Sequence, residues 1–267
     1  MSLKLSSSSS VKRKGEILFL YAFSVLVALV LSALIVEAVG ANWSDVSNAL
    51  LDGSFRKPGR WGRTLGSAVP LAMVAVGTII STKVGLINIG QEGQMLVGAA
   101  FAAYMGAHTP GPGPLVIFIV IISGFVGGAF WSGLAGALRY WRNVPEVLTT
   151  LLLVTVAANF VGYGLKNTWL LLDPDAAVGN RTQVSQQLDP DSRLPRIDIF
   201  GNNFSISVII SLLLIALTFW LLSQTIVGFR LDVVGQNQKV GRRFGSSEVR
   251  QGFAAMCASG GFAGLAG

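Results

Sequence analysis

Gly85-Leu-Ile-Asn-Ile-Gly-Gln-Glu-Gly-Gln94 is a polar, glycine-rich break set between two apolar segments. Around it the chain of 267 residues is 52% hydrophobic and 12% charged. Soluble globular chains carry roughly 25% charged residues, so most of this one belongs in a bilayer. There, Asn88, Gln91, Glu92 and Gln94 are costly unless they line a cavity or touch other protein. Such a segment marks a place where something polar happens inside or at the edge of a membrane. It points to transport before any other class of function.

Outward from the break, the apolar residues come in long blocks rather than at amphipathic spacing. Residues 17–36 run 20 positions without a charge, close to the roughly 20 that a spanning helix needs. Further blocks occupy 65–82, 95–107, 115–138, 147–165 and 204–227, and a last one opens at Gly252. The fold expected is all-α: a polytopic transmembrane bundle with about six complete crossings, a discontinuous helix near residues 85–95, and a seventh helix cut off at the C-terminus. Residues 1–16 form a polar tail whose serine run has no evident role. Lys12-Arg-Lys14 looks like the basic start of a signal peptide, but the apolar block after it exceeds the usual 7–15 residues and reads as an uncleaved first helix. The single cysteine, Cys257, excludes an intrachain disulfide and a thiolate metal cluster. His108 stands beside Pro110-Gly-Pro-Gly-Pro114, which reads as a tight turn rather than a ligand site. No metal or cofactor is expected.

The net charge of +7 invites a nucleic-acid reading, so its distribution matters. With the N-terminus cytoplasmic, twelve basic and five acidic residues fall inside, while the outer segments hold eight of each. The whole excess is cytoplasmic, as the positive-inside tendency expects, and a nucleic-acid partner is unsupported. Residues 42–63 fit less well, because Arg56, Lys57, Arg60 and Arg63 crowd one outer segment. They read either as an external surface helix with an arginine-rich end or as a topology more complicated than simple crossings. The loop 166–203, with Asp173-Pro-Asp175 and Asp189-Pro-Asp191, is too polar to insert. Its turn signals suggest order, and it reads as a solvated loop or as a docking surface for an external partner.

The block 95–107 has 13 residues, too few to cross alone. To span, its helix must recruit Gln91–Gln94 or start deep in the membrane. Discontinuous helices ending at a cavity are a recurring device for handling polar solutes. Asn88, Gln91, Glu92 and Gln94 are therefore candidates for a structural or gating role, against the plain reading of a surface loop. A proton-relay role for Glu92 lacks a second buried carboxylate or histidine to partner it. Gly124-Phe-Val-Gly-Gly128 offers a small-residue face, favoured for packing inside the bundle, with a subunit interface as the other reading. In the next helix Thr149, Thr150 and Thr155 can bond back to helix carbonyls. Asn159 is expected to do so less readily, which makes it a candidate pathway residue. Residues 228–250 read as a basic loop, or as a short surface helix presenting Val240, Phe244 and the arginines to a cytoplasmic subunit.

Gly85-Leu-Ile-Asn-Ile-Gly-Gln-Glu-Gly93 resembles the signature of permease subunits of ABC importers of the ribose and branched-chain amino acid type, closest to the nucleoside and simple-sugar branch. Pro145-Glu-Val-Leu-Thr-Thr150 is similar to a helix start in that family. Val234, Gly235, Asn237, Arg242 and Gly245 are similar to its cytoplasmic loop, and Ser259-Gly-Gly-Phe-Ala-Gly-Leu-Ala-Gly267 to the small-residue helix that follows. The matches run in order over residues 64–267. Pro145 and Val154 stand where the family often has Asn, and Val240, Gly241 and Arg243 interrupt an Ala-Ala-Arg-Tyr pattern. These departures bear on the substrate more than on the family. Such permeases continue for several more helices, so a C-terminally truncated sequence is expected.

The resemblance implies a permease domain over 17–267 in a bacterial inner membrane, surrounded by lipid and paired with a second permease subunit, identical or not. An extracytoplasmic binding protein would deliver the solute. A cytoplasmic ATP-binding subunit would dock at Gly235, Asn237, Arg242, Arg243 and Gly245. The chain carries no Gly-x-x-x-x-Gly-Lys-[Ser/Thr] phosphate loop, so it is not expected to be an enzyme itself. A branched-chain amino acid permease, an ion-coupled secondary transporter and a membrane scaffold remain as alternatives.

Overall fold

The computed structural model describes residues 5–174, 184–199, 201–243 and 245–267, the side chains of 5–15 and 18 apart. Asp175 of the polar loop and Phe244 of the basic segment lie outside the described residues, as do the side chains of Lys12-Arg-Lys14. The chain divides into two units, 1–61 and 62–267.

In the first unit, α1 (Leu5–Ala38) opens on serines and charged residues and is apolar on every side from Ile17 to Val36. None of its apolar stretch Phe19–Ala38 is buried against protein, and a helix of that kind is covered by lipid. After a turn, the Glu37 carboxylate accepts a hydrogen bond from the Trp43 amide (3.0 Å), steadying the first turn of α2 (Trp43–Leu51). A π-helical turn, Asp52–Arg56, follows. Arg56 donates to Asn48 Oδ1 (2.8 Å), and the Phe55 and Trp61 rings sit 4.9 Å apart. Of residues 42–63, the part from Trp43 to Arg56 is thus helical with no buried residue, while Arg60 and Arg63 belong to the helix that follows.

The second unit takes in α3 (Arg60–Lys83), α4 (Gln91–His108), α5 (Gly113–Arg142), α6 (Glu146–Gly164), α7 (Ile206–Gln224), α8 (Ile226–Gln236), α9 (Gln238–Arg243) and α10 (Glu248–Ala266). Among the described residues five helices are long and apolar enough to cross a membrane: Phe19–Ala38, Arg60–Lys83, Gly113–Arg142, Glu146–Gly164 and Ile206–Gln224. The remaining expected crossing is α4. It reaches 18 residues by starting at Gln91, so the polar residues of the break enter the helix as its length required. Gly93 and Gln94 of that first turn face protein, α4 being packed among α5, α6 and α10, while Glu92 points outward.

Small residues explain why α4, α5 and α10 come so close. Gly124 and Gly128 of α5 face Gly260 and Gly264 of α10, and Gly98 of α4 meets Gly264. A side chain at Gly98, Gly128, Gly260 or Gly264 would run into the neighbouring backbone, and one at Gly124 would press tightly on it. The small-residue face therefore serves packing inside the bundle. Ser132 donates to the Met256 carbonyl (2.7 Å) and the Trp131 indole to the Leu153 carbonyl (3.1 Å), which satisfies the polar atoms this packing buries. Around them lies a core of Val76, Ile80, Val84, Leu86, Leu231 and Met256.

The polar loop is ordered where it is described. Leu188 sits on Gly106 and the Asp191 carbonyl on Gly113, at the facing ends of α4 and α5. A short hairpin, β1 (Arg196–Ile199) and β2 (Asn202–Ser205), pairs Arg196 with Ser205 and leads straight into α7, whose first turn is capped by Ser205. The segment 228–250 departs from the loop reading. Most of it is helix, because Thr225 caps α8, Asn237 caps α9 and Ser247 caps α10 through their side-chain oxygens.

Candidate functional site

The break begins where α3 stops. Gly85, at φ +77°, takes the left-handed conformation that ends a helix, with the Leu86 amide on the Ser81 carbonyl (3.1 Å) and the Gly85 amide on that of Thr82 (3.0 Å). This pair of bonds is a Schellman cap, and glycine holds it without a Cβ penalty. The chain then runs extended to Gly90, the N-cap of α4.

Asn88 organises the gap. It is 5% exposed, and each of its polar atoms is used twice. Oδ1 accepts from the Gly90 amide (3.2 Å) and from Gln94 Nε2 (2.9 Å), while Nδ2 donates to Gln94 Oε1 (2.9 Å) and Ser259 Oγ (2.9 Å). Gln94 is 1% exposed and Ser259 is fully buried. One asparagine thus stands in for a missing turn of helix, fastens α4 to the break by a reciprocal amide pair, and ties both to α10.

Gln91 works on the other side, donating through Nε2 to Thr78 Oγ1 (2.8 Å) and to the Val74 carbonyl (3.1 Å) of α3. Gly90 and Gly93 lie against the backbones of Thr150 and Val154, so α6 closes over the start of α4. Glu92, in the first turn of α4, is exposed. The structure therefore brings Asn88, Gln91 and Gln94 into one hydrogen-bonded region and leaves Glu92 facing outward.

Asn159 is placed apart from them. It is exposed, and its Nδ2 donates to the Thr155 carbonyl four residues back (2.8 Å). Asn159 is expected from sequence to bond back less readily than the threonines; here its amide reaches the i−4 carbonyl as a threonine hydroxyl does. An apolar cavity of about 360 Å³ lies nearby, among Phe101, Tyr104, Phe160 and Leu171, and none of the predicted site residues lines it.

Gly235, Asn237, Gly245 and Arg242 of the predicted docking residues each have a structural task. Gly235, in α8, rests against the Lys83 carbonyl, where no Cβ fits. Asn237 caps α9, its Oδ1 accepting from the Lys239 (3.0 Å) and Val240 (3.2 Å) amides. Gly245, at φ +72°, closes α9 with a second Schellman cap: Ser246 N to the Gly241 carbonyl (3.0 Å) and Gly245 N to that of Arg242 (3.1 Å). Arg242 bonds Glu248 (3.3 Å) yet stays largely exposed, and Arg243 is exposed. A cavity of about 390 Å³ opens between Arg242, Gly245 and the start of α10.

Four residues that join these parts were not singled out from sequence as site residues: Thr78, Ser259, Lys83 and Asp232. Lys83 Nζ contacts both carboxylate oxygens of Asp232, at 2.7 and 2.8 Å. The one sequence signal was the position of Lys83 beside the motif; a lysine at a membrane edge that also faces a fold contact asks for a carboxylate.

Comparison with known proteins gives a consistent result. The family described as branched-chain amino acid transport system / permease component matches residues 62–267. The guanosine ABC transporter permease protein of Bacillus subtilis is 27% identical over 264 residues, covering 96% of this chain and 72% of that relative. The glucose ABC transporter permease protein of Haloferax volcanii is 25% identical over 252 residues, 91% of this chain and 65% of the relative. The nucleoside ABC transporter permease protein of Lactococcus lactis subsp. cremoris is 28% identical over 256 residues, 91% of this chain and 68% of the relative. No solved structure matches significantly.

Proposed function

This chain belongs to the family of permease components of branched-chain amino acid transport systems, and from that premise we propose that it is the membrane-spanning subunit of an ATP-driven importer for a nucleoside or simple sugar. The observation that carries the reading is the buried hub at Asn88. It fixes a helix break inside the segment 62–267 and connects it to α10, beside the exposed basic helix α9. The substrate class follows the relatives named for guanosine, nucleoside and glucose transport.

In this reading the N-terminus is cytoplasmic and the chain lies in the plasma membrane, because that orientation places the whole basic excess inside. Lys239, Arg242 and Arg243 then present α9 to a cytoplasmic ATP-binding subunit, which performs the hydrolysis. The loop 166–203 receives an external binding protein, and a second permease subunit completes the pathway. Asn88, Gln91 and Gln94 hold the break that opens and closes. Glu92 and Asn159, whose side chains are exposed, are the polar candidates to face the solute.

The test is uptake by vesicles holding this chain, its partner permease, the ATPase subunit and the binding protein. ATP-dependent uptake of guanosine or glucose is expected; transport driven by a proton gradient without ATP would overturn the reading. Arg242→Glu with Arg243→Glu should lower co-purification of the ATPase subunit, and an unchanged yield would refute the docking role.

A further inference from the structure

The break is held at two ends by two different helices, and both helices flank α9. At its far end, Asn88 is bonded to Ser259 of α10. At its near end, Lys83, the last residue of α3, meets α8 in three ways. Its ammonium grips both oxygens of Asp232, its carbonyl lies against Gly235, and Leu231 shares a core with Val84 and Leu86 just beyond it. The helix α9 is in turn seated on α8 through Gly241 against Val234, and joined to α10 through Arg242 and Glu248. A closed circuit of contacts therefore runs from α9 through α8 to the start of the break, through Asn88 to α10, and back to α9.

Within that circuit the Lys83–Asp232 contact is distinctive. Its side chains are 32% and 39% exposed, and an ion pair that open to solvent contributes little to stability. Its two residues are 149 positions apart in sequence, and it sits where a mobile helix pair would have to act on the end of α3. The single ammonium nitrogen reaches both carboxylate oxygens, at 2.7 and 2.8 Å, and so holds the end of α3 beside α8.

We propose that the Lys83–Asp232 pair is the joint through which displacement of α8 and α9 is delivered to the broken helix, making both residues positioning residues for transport. The inference rests on the permease reading above. With the pair intact, a push on α9 turns α8 and carries the Schellman-capped end of α3 with it. Without it, α8 retains its apolar contact but can rotate about Leu231 without moving the break.

The experiment uses the complete reconstituted transporter and measures solute carried per ATP hydrolysed, together with co-purification of the ATPase subunit. Lys83→Met and Asp232→Asn should each lower that ratio about tenfold, the scale of a typical coupling between sites, with co-purification unchanged. Lys83→Arg, and the exchanged pair Lys83→Asp with Asp232→Lys, should restore the ratio. A wild-type ratio in both single variants would overturn the proposal. So would loss of the ATPase subunit from them, or an exchanged pair as poor as the singles, since either points to a local structural role. Failure of the unmutated transporter to import with ATP would instead fell the permease reading, and the proposal with it.

Discussion

Replacing Gln94 by Leu tests the hub directly, because the two side chains have similar volume and differ in the amide. Gln94 is 1% exposed and exchanges two hydrogen bonds with Asn88, both 2.9 Å. Each such bond between helices contributes roughly 0.6–1 kcal/mol net. Their loss also strips Asn88 of one partner on Oδ1 and one on Nδ2, leaving Gly90 N and Ser259 Oγ. Partly unsatisfied buried amide atoms cost about a further 1–3 kcal/mol, and the added apolar burial of leucine offsets about 1. The net is about 2 kcal/mol, or roughly 4–8 °C in the melting temperature of a unit of this size. The assay is thermal unfolding of the purified protein in detergent, followed by loss of the monodisperse peak. The double variant Asn88→Leu with Gln94→Leu should be less destabilised than the sum of the singles, since no amide is left without its mate. Additive singles, or a Gln94→Leu protein that melts with wild type, would refute the hub.

The other predictions concern the same region. Gly90→Ala places a Cβ 2.5 Å from the Thr150 carbonyl oxygen, and the forced separation of α4 from α6 should cost about 1–3 kcal/mol in the same thermal assay. Gly128→Ala drives a methyl into the Gly260 carbonyl and Gly264, so the yield of monodisperse protein should fall more than for Ala at Gly66, which has nothing within 4 Å. Glu92→Gln should leave the stability within about 0.5 kcal/mol of wild type, as for other exposed positions, and leave the pH profile of uptake unchanged. A shifted profile would revive a proton-relay role.

Much of the fold was legible because lipid imposes a simple rule: long apolar blocks become helices. Arithmetic on helix length left α4 either to recruit Gln91–Gln94 or to start deep in the membrane, and it starts at Gln91; the glycine face of α5 followed from spacing. What escaped the sequence was pairing. Nothing in the chain's order joins Asn88 to Ser259, or Lys83 to Asp232, since both contacts depend on how α8 and α10 return to the break. For 228–250 the sequence left a loop and a short helix open, because charge and glycine content favour the one and spacing does not exclude the other. Thr225 and Asn237, as capping residues, are the signal that decides for helices α8 and α9.

The polar residues of the break owe their presence to the break itself. A helix that stops inside a membrane protein leaves carbonyls at one end and amides at the other, and each must find a partner. Here Gly85 lets the last carbonyls of α3 be satisfied by the turn, and the Asn88 side chain accepts the Gly90 amide at the mouth of α4. Gln91 and Gln94 then cross-link the new helix to α3 and back to Asn88, so α4 cannot swing freely about Gly90. A hinge that was merely flexible would need the glycines alone. The reciprocal Asn88–Gln94 amide pair and the bonds of Gln91 to α3 instead hold the break in one defined arrangement, which is what the gating role proposed above requires of it.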